Sequence, residues 1–264
     1  IGFIDFIVVS LPFLMFTIPI SIYYLRIVFP PEKIPLSDGA IDTEMILDLD
    51  EWGVIDNLKS FYLAWIALVG TIVGFALSDQ IGVPIGVIAI SGGVIATLLT
   101  RADETRLIRS LNWDTLLFFA GLFVLVGILE DTGVLEDLAL SIRNLSGGDL
   151  FLSGFLILII TAFFSGILDN IPVTAALIPV VDEISQGQPN NPNFLWFVLV
   201  FSGTLGGGWT PFGSAASILV ISILLKENRP LDFKHFIKVF LPISLILLAL
   251  SGIYLSILAI FNII

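Results

Sequence analysis

The sequence contains no cysteine and only one histidine among its 264 residues. No disulfide, thiolate metal site or thiol redox motif can therefore form within it. Charge is also scarce, since 13% of the residues are charged, against about 25% in a soluble globular domain. The charge that is present is mostly negative, and a formal net charge of -12 argues against nucleic-acid binding and against a basic membrane-surface module.

Apolar residues dominate instead: 57% of the chain is hydrophobic and the mean hydropathy is +1.05. They gather in blocks long enough, at 1.5 Å per helical residue, to cross a hydrocarbon core of about 30 Å. The blocks lack the period-two alternation of an outer-membrane barrel. The sequence therefore predicts an all-α integral membrane protein, with blocks at about 6–29, 60–78, 82–100, 113–130, 150–185, 194–225 and 236–262.

Two of these blocks are irregular. Block 150–185 is too long for one helix and too short for two spans, and the polar run Asp169 to Pro172 interrupts it. This pattern predicts a re-entrant helical hairpin that turns at the polar run. Block 194–225 carries Gly206, Gly207 and Gly208 near its middle, which predicts a transmembrane helix broken at the midplane. We expect the hairpin tip and the break to lie in contact, because each exposes backbone groups that lipid cannot satisfy.

The basic residues predict the topology, because cytoplasmic loops collect Lys and Arg. If the hairpin enters and leaves on one side, the loops 30–59, 101–112 and 226–238 are cytoplasmic and the hairpin opens outward. Only Arg143 then lies on the opposite side. The cytoplasmic side holds the other ten basic residues: Arg26, Lys33, Lys59, Arg101, Arg106, Arg109, Lys226, Arg229, Lys234 and Lys238.

The first and last blocks resemble each other at an offset of 230 residues, and this register aligns Pro12 with Pro242 and Tyr24 with Tyr254. The ends of the two blocks, at 29 and 262, lie on opposite sides of the membrane in the charge-based topology, so the sequence predicts an inverted repeat. Residues 1–29 would be the last helix of a preceding repeat, 30–59 an acidic cytoplasmic loop, and 60–264 the second repeat. Since the sequence opens on Ile1, we expect a fragment whose first repeat is missing.

Asp169 is the one ionisable residue placed deep within a block, and an intramembrane carboxylate is a functional-site hypothesis by default. At a hairpin tip it would meet the N-terminus of the returning helix; a plain helix-capping role is the alternative. The glycine run would free carbonyl groups that suit Na+, or serve close helix packing instead. The hydroxyls that flank the run are those of Thr204, Thr210, Ser214 and Ser217.

Three stretches resemble the second half of the ion transporter superfamily, in the group of bacterial D-type sodium/proton antiporters, arsenite permease-like proteins and the melanosomal P protein. They are Trp113-Asp-Thr-Leu-Leu-Phe-Phe-Ala-Gly-Leu-Phe-Val-Leu, Ser165-Gly-Ile-Leu-Asp-Asn-Ile-Pro-Val-Thr-Ala-Ala-Leu-Ile-Pro and Gly203-Thr-Leu-Gly-Gly-Gly-Trp-Thr-Pro-Phe-Gly-Ser-Ala-Ala. The resemblance implies a dimeric elevator transporter, with scaffold helices at 60–100 and 236–262 and a transport part at 113–225. The implied ion site consists of Asp169, Asn170, Thr174, Thr204, Gly206, Gly207 and Thr210, with Gly208 where many relatives carry Asn.

These features predict a secondary transporter rather than an enzyme, with sodium/proton antiport as the leading function and Asp169 and Asn170 as sodium ligands. Na+ and a proton would compete for the Asp169 carboxylate. An arsenite, oxyanion or carboxylate permease is the alternative, and a non-transporting structural membrane subunit is a further one. No cofactor is expected beyond Na+ as the transported or coupling ion. The expected partners are the lipid bilayer, the missing first repeat and a second copy in a homodimer, with no nucleic acid.

Overall fold

A computed structural model describes residues 1–29, 55, 57–186, 193–226 and 231–264. All regular structure in these ranges is helical, so the all-α prediction is confirmed. The predicted loop 30–59 lies almost wholly outside the described residues, as does part of the loop 226–238. The helices are α1 (Phe3–Val28), α2 (Leu58–Ile81), α3 (Ile85–Thr100), α4 (Glu104–Ser110), α5 (Trp113–Asp131), α6 (Val134–Ser146), α7 (Leu150–Ile167), α8 (Asn170–Ser185), α9 (Phe194–Gly206), α10 (Ala215–Lys226) and α11 (Phe233–Ile260).

Five of these helices, α1, α2, α5, α7 and α11, are long and apolar enough to cross a membrane. Their lengths run from 18 to 28 residues, or roughly 27 to 42 Å at 1.5 Å per residue. Helices α3, α9 and α10 are apolar but shorter. The chain is therefore a multi-pass integral membrane protein, as predicted. Both irregular blocks are divided, since block 150–185 forms α7 and α8, and block 194–225 forms α9 and α10.

The described chain divides into two compact units, residues 1–12 with 25–112 and residues 13–24 with 113–264. In the first unit, α2 and α3 form an antiparallel pair. Thr71 lies against Gly92, and Ile88, one turn earlier on α3, lies against Gly74, nearly one turn later on α2. Glycine lets the two helices approach closely, which is how helices associate where lipid removes the hydrophobic driving force.

The second unit holds the hairpin and the broken helix, and α7 and α9 lie side by side within it. A β-carbon built on Gly154 would lie 2.5 Å from the Phe194 ring, and one built on Gly206 would lie 2.5 Å from the Cα of Ala162. Residue 154 of α7 thus lies opposite residue 194 of α9, and residue 162 lies opposite residue 206, so residue numbers rise in the same direction along both helices. The two helices are parallel.

Helix α8 runs the other way along α9. The side chain of Thr174 fills the space beside Gly203, while a β-carbon built on Gly207 would lie 3.3 Å from the Cβ of Asn170. Since α7 is parallel to α9 and α8 is antiparallel to it, the chain reverses direction between α7 and α8. The predicted hairpin turn is confirmed. The depth of its tip in a bilayer stays a prediction, because α7 is by itself long enough to cross.

Helix α6 is an amphipathic helix between two of the predicted blocks. It lies between Gly133 and Gly147, whose φ angles of 78° and 62° favour glycine. Its buried residues, Leu135, Ala139, Ile142 and Ser146, follow the spacing of one helix face and pack against α7 and α8. The Ser153 hydroxyl of α7 donates to the Ser146 hydroxyl over 2.9 Å, which fixes the end of α6 at the base of the hairpin.

The middle of α1 packs on α11 in this second unit. The Phe13 ring lies 5.5 Å from the Tyr254 ring, and the Tyr24 hydroxyl donates to the Val239 carbonyl over 2.7 Å. As position rises along α1 it falls along α11, so the two helices are antiparallel. Opposite directions are what an inverted repeat requires of two equivalent helices, and these are the two that align at an offset of 230 residues.

Candidate functional site

The hairpin tip places Asp169 between two helix ends. Helix α7 ends at Ile167 and α8 begins at Asn170, so Asp169 is the N-cap of α8. Its Oδ1 accepts the Ile171 backbone N–H over 3.1 Å, and its side chain is half-buried. Pro172 is the third residue of α8, where a missing N–H costs nothing because the first turn has no intrahelical acceptor. The cap bond occupies one carboxylate oxygen and leaves Oδ2 for another ligand.

The break runs from Gly207 to Ser214, between α9 and α10. Turn bonds satisfy its first amides: Gly208 donates to the Leu205 carbonyl over 3.3 Å and Trp209 to the Gly206 carbonyl over 3.0 Å. At its far end the Ser214 hydroxyl accepts the Ser217 backbone N–H over 3.2 Å. Side chains of the chain itself therefore cap the N-termini of both α8 and α10.

Two side-chain hydroxyls join the last turn of α7 to the last turn of α9 and to the break. Ser165 of α7 donates to the Gly203 carbonyl over 2.5 Å, and Thr210 of the break donates to the Gly166 carbonyl over 2.6 Å. Each hydroxyl bonds a backbone carbonyl across this junction. The predicted contact between tip and break is confirmed.

Glycines make this close approach possible because backbone occupies the space beside them. A β-carbon on Gly213 would lie 2.6 Å from the Gly207 carbonyl oxygen and 2.9 Å from that of Ser165. A β-carbon on Gly207 would lie 2.5 Å from the Gly213 carbonyl oxygen. Backbone cannot move aside as a flexible side chain can. Gly208 differs, since its nearest neighbour is the hydroxyl of Ser244 in α11, at 2.8 Å.

Most of the predicted site residues come together here. Asn170 lies beside Gly207, Thr174 lies beside Gly203 and donates to the Asn170 carbonyl over 2.8 Å, and Thr210 bridges to α7. Thr204 is placed differently. Its side chain is exposed and its hydroxyl donates to the Val200 carbonyl of its own helix over 2.8 Å.

Sequence reasoning missed Ser165, which is fully buried and bonded to the last turn of α9. A signal for it exists. Thr161 and Ser165 are spaced four residues apart and are the two hydroxyl residues nearest the tip in an otherwise apolar stretch, so they share one helix face. That face meets α9, and both residues are fully buried.

The electrostatics of the site follow from four helix ends. The parallel helices α7 and α9 both end here, and donors from the junction bond carbonyls of their last turns, such as those of Gly166 and Gly203. Helices α8 and α10 begin here, but the Asp169 carboxylate and the Ser214 hydroxyl already satisfy amides of their first turns. When ionised, the Asp169 carboxylate makes the charge at the tip negative, and a cation then suits the tip better than an anion.

Comparison with known proteins gives the family. The family model described as "Citrate transporter" (CitMHS) matches residues 1–202. The chain belongs to the citrate transporter family. The match includes the hairpin tip and stops just before Gly203, so it does not extend over the glycine break.

Curated relatives agree with this assignment. An uncharacterized transporter of Mycobacterium tuberculosis is 32% identical over 80% of this chain and 50% of the relative. The arsenical pump membrane protein of Escherichia coli is 26% identical over 76% of the chain and 49% of the relative. The P protein of Mus musculus is 29% identical over 71% of the chain and 24% of the relative. No solved structure matches the chain significantly. The chain spans about half the length of the first of these relatives, and the predicted superfamily resemblance is confirmed.

Proposed function

We propose that this chain forms the cation-binding part of a secondary active transporter in which Asp169 binds Na+ when ionised and releases it when protonated. Sodium/proton antiport by an elevator movement is the function that the site geometry supports best. The observation that carries the proposal is the position of Asp169, a half-buried carboxylate at the shared end of α7 and α9. Carboxylate and carbonyl oxygens are the ligands that hard cations prefer.

The test is Na+-driven proton movement by the complete protein in proteoliposomes. Asp169→Asn removes the charge but keeps a side chain that caps helices equally well, so we expect folding to persist and exchange to fall at least about tenfold. Asp149→Asn is the matched control, because Asp149 caps α7 through a 2.7 Å bond to the Leu152 N–H at the opposite end of that helix. Exchange that survives Asp169→Asn at the wild-type rate would rule the mechanism out.

Uptake of a carboxylate or oxyanion coupled to Na+ is the second candidate. The family description and the arsenical pump relative favour it. Here Asp169 would hold the coupling ion while the anion binds elsewhere in the break. Uptake of radiolabelled citrate or arsenite with and without a sodium gradient separates the two candidates: antiport predicts no anion uptake, and coupled uptake predicts uptake that requires Na+.

Orientation in the membrane and dimerisation belong to the same proposal. We expect the loops 30–59, 101–112 and 226–238 on the cytoplasmic side and the hairpin opening outward. These 264 residues contain no cysteine, so single cysteines can be placed among them in a cysteine-free version of the complete protein. A membrane-impermeant maleimide should label Asn144→Cys in intact cells and leave Lys234→Cys unlabelled until the membrane is opened. The opposite pattern would invert the topology. A homodimer is expected from cross-linking of the complete protein.

A further inference from the structure

The basic residues of α11 lie together in its first two turns. They are Lys234, His235 and Lys238, and all three side chains are exposed. Helix α11 has 28 residues, or roughly 42 Å, so it exceeds a hydrocarbon core of about 30 Å by about two turns. Because the apolar part of the helix begins at Val239, the excess is at this end. We therefore place the three basic residues at the level of the lipid headgroups.

The basic side chains form one face of α11 that is turned away from the protein. Lys234 and Lys238 are four residues apart, so their side chains are neighbours. The buried residues of the same turns, Phe236 and Val239, lie on the other side of the helix. Asp232 lies two residues before Lys234 and therefore faces another direction. No carboxylate of a described residue lies within 4.0 Å of either ammonium group.

This arrangement is unfavourable unless an anion binds to it. Two ammonium groups four residues apart repel each other, and the positive end of the helix dipole adds to the repulsion. The ordinary excess of Lys and Arg in cytoplasmic loops explains why basic residues lie near this end. It does not require two of them on one exposed helix face. A phosphate group between the two would remove the repulsion and accept charge-assisted hydrogen bonds from both.

The same face of α11 continues as an exposed apolar strip, formed by Pro242, Leu245, Ala249 and Ile253. Leu245 and Ile253 are 45% and 59% exposed, and the other two residues are also exposed. At 1.5 Å per residue, Ala249 lies roughly 16 Å along the helix from Lys238, which is about the thickness of one leaflet of a 30 Å core. An acyl chain that starts at the headgroup level beside Lys238 therefore ends close to Ala249.

A groove opens on the apolar strip where such a chain would end. Its volume is about 460 Å³, within the range of about 300 to 1,000 Å³ that small-molecule sites have. It lies between α7, α9 and α11, with Leu158, Val198 and Ala249 among its lining residues. The Ser256 hydroxyl, which also lines the groove, already donates to the Gly252 carbonyl over 2.7 Å. An apolar groove does not hold ordered water, so hydrocarbon suits it.

We propose that this face of α11 binds an anionic phospholipid, with its phosphate between Lys234 and Lys238 and one acyl chain along the apolar strip to the groove. Two independent observations support the site: a pair of exposed cations without a counter-charge among the described residues, and an apolar strip of one leaflet's length that leads from this pair to a groove. The site uses no residue of the proposed cation site, and it does not depend on which ion or anion is transported.

The test measures lipid binding to the purified complete protein by native mass spectrometry, with phosphatidylglycerol and phosphatidylcholine of equal chain length as probes. The wild type should bind phosphatidylglycerol more tightly. In Lys234→Gln/Lys238→Gln the affinity for phosphatidylglycerol should fall about thirtyfold, as expected for two lysines beside an anionic lipid, while that for phosphatidylcholine stays unchanged. Lys234→Arg/Lys238→Arg should keep the preference. Lys59→Gln is the matched control, because Lys59 is exposed at the start of α2 and has no basic residue four positions away.

A second variant tests the path of the acyl chain. Ala249→Trp places a large ring across the apolar strip, so it should lower the affinity for long-chain phosphatidylglycerol severalfold. The affinity for dihexanoyl phosphatidylglycerol, whose chains are too short to reach Ala249, should not change. The unfolding midpoints of all these variants in detergent without added lipid should be no lower than that of the wild type, which shows that folding is intact.

Five results would overturn the proposal. The wild type could bind both lipids equally, the double glutamine variant could keep its affinity for phosphatidylglycerol, or Lys59→Gln could lose as much, which would show that net charge alone matters. Inorganic phosphate that competes as well as the lipid would show an anion site without a chain. A disulfide between two copies through Ala249→Cys, in a cysteine-free version of the complete protein, would show that protein covers the strip. The effect of Asp169→Asn on exchange, by contrast, bears on the cation site alone.

Discussion

Helices α9 and α10 lie on either side of the break and have similar composition, yet their surroundings differ. Nine of the thirteen residues of α9 are buried, whereas in α10 only Ser217 is buried among the side chains described. Helix α9 packs against α7, α8 and α11. Helix α10 exposes Ile218, Leu219, Val220, Ile223 and Leu225.

The difference shows where the site gets its rigidity. The tip and the break are held from the α9 side by close glycine contacts and by the Ser165 hydroxyl, while the Ser214 cap bond of α10 lies within that helix's own first turn. Segments with few buried contacts open most easily. A substitution in or beside α9 should therefore act on the whole unit, and one in α10 should act locally.

The largest effect is expected for Gly206→Ala, at the end of α9. Its new methyl group would lie 2.5 Å from both the Cα and the carbonyl oxygen of Ala162, so α7 and α9 would have to separate. Overpacking of this kind costs about 1 to 3 kcal/mol or more, and transport should be lost. Gly208→Ala, whose new methyl group would have the Ser244 hydroxyl as its nearest neighbour, should cost much less. The thermal unfolding midpoints of the two purified variants check the order, and equal midpoints would contradict the close packing of α7 on α9.

A leucine pair tests the comparison directly. Leu199 of α9 is 1% exposed and Leu219 of α10 is 60% exposed. Leu199→Ala should leave a cavity and cost about 2 to 5 kcal/mol, through lost packing rather than transfer from water, since lipid is as apolar as leucine. Leu219→Ala should cost under about 0.5 kcal/mol. Unfolding in detergent measures both. If Leu219→Ala lowers the stability of the complete protein strongly but that of this chain little, other parts of the complete protein cover α10.

A hydroxyl pair gives a smaller effect. Ser165→Ala removes the bond from α7 to the Gly203 carbonyl, which keeps its bond from the Gly207 N–H, so the loss should be about 1 kcal/mol. Thr204→Ser keeps the hydroxyl of an exposed residue in the same region and should change little. Thermal unfolding compares them, and Na+ exchange shows whether the looser tip also slows transport. If Ser165→Ala is silent in both measurements, the bridge between tip and break is unimportant.

The lengths of the apolar blocks and the positions of helix-breaking residues predicted much of this fold, for physical reasons. A membrane span needs a minimum apolar length, and lipid forbids unsatisfied backbone, so block lengths located the helices and Asp169, Pro172 and the glycine run located both breaks. Helix α6 was not predicted because its apolar face alternates with Glu136, Asp137 and Arg143, which hides it from a hydropathy criterion.

The pairing of elements could not be predicted in the same way. In a membrane both the lipid-facing and the protein-facing sides of a helix are apolar, so composition does not show that α9 is enclosed and α10 is not. The parallel arrangement of α7 and α9 depends on contacts such as Gly206 on Ala162, which join residues 44 positions apart. The role of Ser165 follows from that arrangement and not from the residue type.

The smallest global effect is expected at the cap of α10. Ser214→Ala removes the hydroxyl that accepts the Ser217 N–H over 3.2 Å, and a lost cap costs about 0.5 to 2 kcal/mol of local helix stability. Because α10 is so little buried, the first turn should fray without lowering the unfolding midpoint of the unit by more than about 1 °C. Hydrogen exchange of the amides at 215–218 should accelerate, while those of α9 stay protected.

Ser214→Asn, which can also cap, should restore the slow exchange. Asn193→Ala at the start of α9 is the control, since Asn193 makes no side-chain cap bond and its loss should not change exchange. A fall in the midpoint for Ser214→Ala as large as that for Leu199→Ala would mean that α10 is integrated as tightly as α9, and the contrast between the two halves would fail.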